Sequence, residues 1–132
     1  MKRTYETEFH AAHVIVGHER CGRVHGHTYK LRVHVNFPQD VWLDFSDLKK
    51  VVDETLEYEY DHRFLGTTHE EYNSVPGHGG LVEIKIITRT VTCEELAKKL
   101  RYRIDHELAT VLKCDYTVEI ELWETSKFGV RE

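Results

Sequence analysis

The sequence has few cysteines and no long apolar run, and each absence excludes a class of protein. Its cysteines number only 3 in 132 residues, so the disulfide framework of a small secreted domain is not expected. No apolar stretch approaches the ~20 residues that a membrane-spanning helix requires. The first six residues are largely polar and contain no apolar signal core. These features predict a protein of the reducing cytoplasm with no membrane partner.

A surplus of basic residues is also missing. Asp and Glu number 23 and Lys and Arg 18, which gives a formal net charge of −5 at pH 7. Proteins that bind nucleic acid normally carry a basic face, so no nucleic-acid partner is expected. The apolar fraction of 40% is typical of a folded protein, and the length predicts a single domain over residues 1–132.

Histidine, in contrast, is abundant, with 10 copies. Residues 3–14 and 25–37 alternate between polar and apolar side chains, and this period of two predicts two long strands. Hairpin geometry brings the end of the first strand beside the start of the second. His25 and His27 then share the apolar face of the second strand, and His13 lies on the matching face of the first. The pattern predicts that these three imidazoles meet at one corner of the core.

Such a cluster favours zinc, because zinc accepts imidazole nitrogens and three protein ligands leave a fourth position open for catalysis. A single buried histidine is more often a hydrogen-bonded core residue, but three converging rings favour a metal site. His10 and His34 are even-numbered, whereas the three clustered histidines are odd-numbered. They are therefore predicted to lie on the opposite face of the strands and to point outward. The remaining histidines of loops and helix surfaces are predicted to be solvated: His18, His69, His78 and His106.

Cys21 precedes the histidine pair and has two interpretations. A thiolate binds zinc, so a structural site with three histidines and Cys21 is one of them. Alternatively, Cys21 is a base or nucleophile, since Arg20, Arg23 and the metal favour the thiolate. Cys93 and Cys114 are predicted to be packing residues.

The rest of the sequence predicts helices over about 46–58 and 93–112, a loop over 67–80, a short strand over 81–88 and a final strand over 116–124. Asp44 or Ser46 can cap the first helix, and Thr92 with Glu95 forms a capping box for the second. This order predicts an α+β fold, with an antiparallel sheet and two helices packed on one face.

Several motifs resemble one known family. The segment Phe9-His10-Ala11-Ala12-His13 and the motif Cys-x-x-x-His-Gly-His at residues 21–27 resemble the 6-pyruvoyltetrahydropterin synthase family. The three-residue spacing after Cys21 is similar to its 6-carboxytetrahydropterin synthase branch, which serves the queuosine pathway. Further similar segments follow in the family's order, at residues 42–49, 60–65, 92–97 and 123–125.

The resemblance implies the tunnelling fold, in which a homo-oligomer, a homohexamer by family likeness, completes a barrel with active sites between subunits. It implies zinc, and conversion of 7,8-dihydroneopterin triphosphate to 6-carboxy-5,6,7,8-tetrahydropterin with release of acetaldehyde and triphosphate. Two alternatives are a 6-pyruvoyltetrahydropterin synthase, which only eliminates triphosphate, and a non-catalytic, zinc-stabilised pterin-binding protein.

The resemblance also implies roles for residues. Zinc on the three histidines binds the substrate's side-chain hydroxyls, and Cys21 resembles the catalytic base. Asp61 and His62 resemble the pair that tunes this cysteine and returns protons. Glu124 resembles the carboxylate that binds the pterin, and its place on the apolar face of the final strand agrees with that role. The alternative is that the strand ends earlier and leaves Glu124 solvated.

Other positions are less specific. Glu94 is a second candidate for substrate binding, although an acidic residue there also suits the start of a helix. Asp44 is expected to be a helix cap rather than a catalyst. Arg23 and Lys127 are candidates for triphosphate contacts. The segment 67–91 is longer than in compact bacterial relatives, and residues 126–129 lack a cysteine and threonine that such relatives carry, which affects the edges of the pocket.

Overall fold

The structure is a computed structural model that describes residues 1–15, 17–66 and 91–132, together with the backbone of 84–86. Within these ranges the chain forms six strands and two helices in an α+β arrangement, as predicted. The elements are β1 (Lys2–His13), β2 (His25–Asn36), α1 (Phe45–Glu59), β3 (Arg63–Gly66), β4 (Ile84–Ile86), α2 (Cys93–Leu108), β5 (Thr117–Trp123) and β6 (Gly129–Arg131).

The strands form one open sheet in the order β4-β3-β1-β2-β5-β6. β1 and β2 pair as an antiparallel hairpin that places His13 opposite His25. β5 and β6 continue the antiparallel pairing. β3, in contrast, pairs in parallel with β1, and β4 in parallel with β3. The sheet, predicted to be antiparallel, is therefore mixed at this edge. The reason is that α1 returns the chain to the level where β1 ends, and β3 then runs on in the direction of β1.

Both helices pack on the face that carries the odd-numbered residues of β1 and β2. α1 contacts β1, and α2 contacts β5. Burial of each large apolar side chain there stabilises the folded state by about 1.5–3 kcal/mol compared with leaving it exposed to water. The core includes Phe9, Tyr29, Leu31, Val33, Leu48, Val52, Leu96, Leu100, Ile104, Ile120 and Leu122.

The opposite face of the sheet is polar, and it carries His34 as its parity predicts. His34 is nevertheless buried. One ring nitrogen lies 2.8 Å from the hydroxyl of Thr4, and the other lies 2.7 Å from a carboxylate oxygen of Glu121. Thr4 on β1 and Glu121 on β5 therefore cover His34. Alternation within β2 alone does not predict this burial.

The helix caps confirm the predictions made for them. The carboxylate of Asp44 accepts a hydrogen bond from the Ser46 amide at 2.7 Å, and the hydroxyl of Thr92 accepts one from the Glu95 amide at 3.4 Å. α2 ends at Leu108 rather than at residue 112. Leu112 still packs in the core, so the apolar pattern that predicted the longer helix continues beyond the end of α2.

Two short strands, β3 and β6, were not predicted. β4 lies within the strand predicted over 81–88. The remainder of that prediction, the loop over 67–80, and His69 and His78 lie outside the described residues. In the part of the chain that the structure describes, neither helix is both long and apolar enough to cross a membrane.

Candidate metal centre

Three imidazoles converge at the end of the β1–β2 hairpin. The Nε2 atom of His13 lies 2.9 Å from Nε2 of His25 and 3.1 Å from Nε2 of His27. The ligand atoms of all three side chains lie within 4.8 Å of one another. The hairpin register produces this cluster, since it pairs His13 with His25 and places His27 opposite Ala11.

Hydrogen bonds on the outer side of two rings decide which nitrogen faces the centre. Nδ1 of His13 donates to the carbonyl of Val91 at 2.8 Å, and Nδ1 of His25 donates to the carbonyl of Arg23 at 2.7 Å. A carbonyl oxygen only accepts, so each neutral ring carries its proton on Nδ1 and presents an Nε2 lone pair inward. Lone pairs that face each other at this distance repel unless a cation lies between them. The donor set therefore fits a metal ion, with backbone carbonyls as the outer partners that orient metal-binding histidines.

Burial favours the neutral, metal-binding form of two of these histidines. Desolvation, together with a smaller effect of the two neighbouring histidines, lowers the pKa of His13 to about 4, although the hydrogen bond to Val91 acts in the opposite direction. Burial also lowers the pKa of His27, although the Glu124 carboxylate opposes this. Both rings are thus neutral near pH 7, the form in which imidazole binds a metal.

Glu124 lies beside this cluster, immediately after the last residue of β5. Its Oε1 atom is 3.4 Å from Nε2 of His27 and 3.5 Å from Nε2 of His13. The backbone amide of Glu124 donates to the carbonyl of Phe128 at 3.0 Å, which fixes the chain where β5 ends. The side chain is 24% exposed and faces the histidines rather than open solvent.

Tyr29 is a member of the site that the sequence reasoning missed. Its ring is fully buried, stacks on Phe9 at a centroid distance of 4.9 Å, and lies 5.4 Å from the ring of His27. Its hydroxyl is 3.4 Å from Nδ1 of His13. The available signal was parity, because Tyr29 continues the face of His25 and His27, but a tyrosine on an apolar face is usually a core residue.

Cys21 lies in the loop that precedes β2 and is half-buried. Its carbonyl accepts a hydrogen bond from the Ile15 amide at 2.6 Å, and its amide donates to Nδ1 of His18 at 3.0 Å. A side chain on Gly22 would meet the carbonyl of His18 at 2.3 Å, so this tight loop requires glycine next to the cysteine. Among the described residues, the converging metal-binding group contains the three histidines and not Cys21. This geometry disfavours the four-ligand structural site.

The structure leaves all three cysteines unpaired. Cys93 and Cys114 pack against the core, as predicted. Burial, together with the negative charges of Glu124 and Glu94, raises the pKa of the Cys93 thiol to about 12. This thiol therefore stays protonated at neutral pH, which suits a packing residue.

Asp61 and His62 form a pair on the other face of the sheet. A carboxylate oxygen of Asp61 lies 3.0 Å from Nδ1 of His62, and the other accepts a hydrogen bond from the backbone amide of His10 at 2.9 Å. Burial alone would raise the pKa of Asp61, but the hydrogen bonds from His10 and His62 hold it below its usual value. Because His10 projects from the face opposite His13, one chain does not bring this pair to the histidine cluster.

The remaining candidates lie at the surface. Glu94 is exposed in the first turn of α2, where a carboxylate complements the helix dipole. Arg23 is exposed, and its carbonyl orients His25. Lys127 lies in the turn after β5, where its amide donates to the Thr125 hydroxyl at 3.2 Å.

Comparisons with known proteins agree with this arrangement. The sequence model of the family described as 6-pyruvoyl tetrahydropterin synthase matches residues 2–131. A 6-carboxy-5,6,7,8-tetrahydropterin synthase of Haemophilus influenzae is 29% identical over 138 residues, which cover 94% of this chain and 92% of that protein. These similarities support a lyase activity of the tetrahydropterin synthase type.

Solved structures share the fold. A Plasmodium falciparum 6-pyruvoyl tetrahydropterin synthase superposes with a TM-score of 0.75 at 22% identity, covering 100% of this chain and 96% of that one. A Caenorhabditis elegans 6-pyruvoyl tetrahydropterin synthase gives 0.67 at 17% identity, covering 100% and 94%. These likenesses confirm the predicted tunnelling fold. Because the family's sequence model matches residues 2–131 of this chain, the chain belongs to the 6-pyruvoyl tetrahydropterin synthase family.

Proposed function

We propose that this protein is a zinc-dependent lyase that converts 7,8-dihydroneopterin triphosphate and water to 6-carboxy-5,6,7,8-tetrahydropterin, acetaldehyde and triphosphate. The observation that carries the proposal is the convergence of three inward-facing Nε2 atoms, with a carboxylate oxygen of Glu124 at 3.4 Å from one of them. A relative that aligns over 94% of the chain is named for the carboxy-forming reaction.

The donor set suits zinc, because three neutral imidazoles on one side leave a coordination position open. When bound, the metal supplies Lewis-acid stabilisation of negative charge that develops on substrate oxygens. Glu124 accepts two parallel hydrogen bonds from the amino group and a ring N–H of the pterin. Glu94 is proposed as a second substrate contact, at the start of α2.

Cys21 is proposed as the base that removes a proton from the substrate side chain, and Asp61 with His62 as the pair that returns protons. Because the pair lies on the other face of the sheet, a neighbouring copy must supply it. This requirement supports a homo-oligomer, proposed as a homohexamer by family likeness, with each active site between copies. Among the strands that the structure describes, β4 and β6 form the edges of an open sheet, which is compatible with such an assembly.

The products identify the reaction. Zinc-loaded protein incubated with dihydroneopterin triphosphate is expected to release acetaldehyde and triphosphate in equal amounts, because cleavage between the first two side-chain carbons accompanies elimination. Mass spectrometry of the pterin and an aldehyde-trapping assay check this. A pyruvoyl product without acetaldehyde would establish the elimination-only reaction instead. Binding of the pterin without any turnover would leave only the non-catalytic alternative.

Replacing Glu124 with alanine is expected to weaken pterin binding and to leave zinc in place. A charge-assisted hydrogen-bonding group contributes about 2 kcal/mol, so the Kd for the pterin is expected to rise about 30-fold. Fluorescence titration measures the affinity, and elemental analysis measures the zinc. Glu119→Ala is a matched control, because Glu119 lies on β5, which Glu124 directly follows, but pairs with Arg131 on the polar face. Equal affinity in the two variants would remove Glu124 from the substrate site.

A further inference from the structure

His10 contacts both members of the Asp61–His62 pair. Its backbone amide donates to Asp61 Oδ1 at 2.9 Å, and its carbonyl accepts from the His62 amide at 2.6 Å. Parity had predicted only that His10 points outward, which it does. These two backbone hydrogen bonds show that His10 also holds Asp61 and His62 in place.

His62 needs such support, because its backbone adopts a φ of +57°. This left-handed conformation is unfavourable for a residue with a side chain and persists where surrounding contacts enforce it. Its side chain is 77% exposed, so few contacts hold the ring. Asp61 contacts one edge of it through Nδ1, and the ring of His10 provides a second contact.

The two rings pack edge to face, with centroids 5.7 Å apart and an interplanar angle of 62°. The His10 ring is itself oriented, since its Nδ1 lies 3.0 Å from the hydroxyl of Thr28 on β2. The strand pairing sets this contact, because the register places His10 opposite Thr28. A chain of contacts thus runs from β2 through His10 to the exposed His62.

A cavity of about 540 Å³ opens beside these rings. His10 and His62 contribute to its lining together with apolar residues of β1, β3 and the segment before β2, namely Ala11, Ala12, Val24 and Phe64. If the His62 ring is held in place at this cavity, its Nε2 atom points in a defined direction. An exposed ring without such contacts samples several rotamers.

We propose that His10 is a positioning residue: its backbone fixes Asp61 and His62, and its imidazole, oriented by Thr28, holds the His62 ring in place for proton transfer. This inference rests on the proposed function for the assignment of proton transfer to His62. The ring-to-ring positioning can be measured without turnover.

Side-chain substitutions isolate the ring contact, because the two backbone hydrogen bonds survive them. His10→Ala is expected to lower kcat about 10-fold, since misorientation of a reacting group costs rate, while KM and the midpoint of thermal unfolding stay near wild type. His10→Phe keeps an aromatic ring against His62 but loses the hydrogen bond to Thr28, so it is expected to recover kcat only in part. Thr28→Val frees the His10 ring in the same way, so its kcat is expected to fall to a similar value between His10→Ala and the wild type. His106→Ala, on the exposed surface of α2, is the control.

Imidazole NMR signals of His62, recorded on the intact assembly with labelled histidine, provide a readout that does not depend on turnover. They are expected to broaden in His10→Ala, because the His62 ring becomes mobile, to broaden less in His10→Phe, and to keep the wild-type line width in His106→Ala. Unchanged line widths and an unchanged kcat in His10→Ala would overturn the inference, as would an equal loss of kcat in His10→Ala and His10→Phe with unchanged line widths. If the wild-type protein turns over no dihydroneopterin triphosphate, the proposed function fails, and the NMR comparison alone decides the positioning.

Discussion

Replacing His27 with alanine is expected to remove zinc from the protein and to abolish turnover. The Nε2 atom of His27 lies 3.1 Å from that of His13, and loss of one of three ligands leaves a two-nitrogen site. Replacing an outer partner of a metal ligand already costs 10–100-fold in affinity, so loss of the ligand itself is expected to cost more than about 100-fold. Chelator competition measures the affinity, and elemental analysis after dialysis measures the zinc that remains.

The fold is expected to survive His27→Ala, because this half-buried side chain lies at one end of the sheet, away from the centre of the core. Circular dichroism therefore serves as a check that metal loss is not unfolding. His106→Ala is the matched control, since it removes an exposed imidazole from α2. Full zinc occupancy in His27→Ala would show that His13, His25 and His27 are not the ligand set.

Cys21→Ala is expected to keep zinc and to lose turnover. The converging group of metal-binding side chains does not contain Cys21, so removing the thiol leaves the three nitrogens in place. General base catalysis contributes about 10²–10⁴-fold to a rate, and kcat is expected to fall by that factor. Steady-state kinetics with dihydroneopterin triphosphate and a zinc determination on the same sample measure both quantities.

Cys114→Ala is the control for thiol loss, because Cys114 packs against the core beyond the end of α2. Its kcat and zinc content are expected to stay near wild type. If zinc is lost together with the Cys21 thiol, Cys21 is a fourth ligand and the assignment of a catalytic base is wrong. If zinc and turnover both persist, the base is another group.

The sequence predicted much of this fold and the location of the histidine cluster, and the reason is local geometry. Alternation along β1 and β2 assigns each side chain to a face, so parity alone separated His13 from His10. β1 and β2 follow each other directly in the chain, so antiparallel pairing brings the end of one beside the start of the other, which aligned His13 with His25. Helix caps depend on residues two or three positions apart, which is why Asp44 and Thr92 could be assigned.

Contacts between distant segments were beyond this reasoning. The carbonyl that orients His13 belongs to Val91, 78 residues away. The short strands β3 and β6 carry too few residues for a period to appear, so their pairing depends on the sheet already formed. The pairing of β3 with β1 also brings Asp61 and His62 beside His10, whose side chain lies on the face opposite the cluster.

The sequence thus determined which side chains could form a metal site and on which face of a strand each one lies. The tertiary structure decided which nitrogen of His13 and His25 faces the centre, that Glu124 reaches it, and that His10 supports His62. The physical reason is that alternation and capping act over a few residues, whereas ring orientation depends on partners that only the assembled sheet brings within hydrogen-bonding distance.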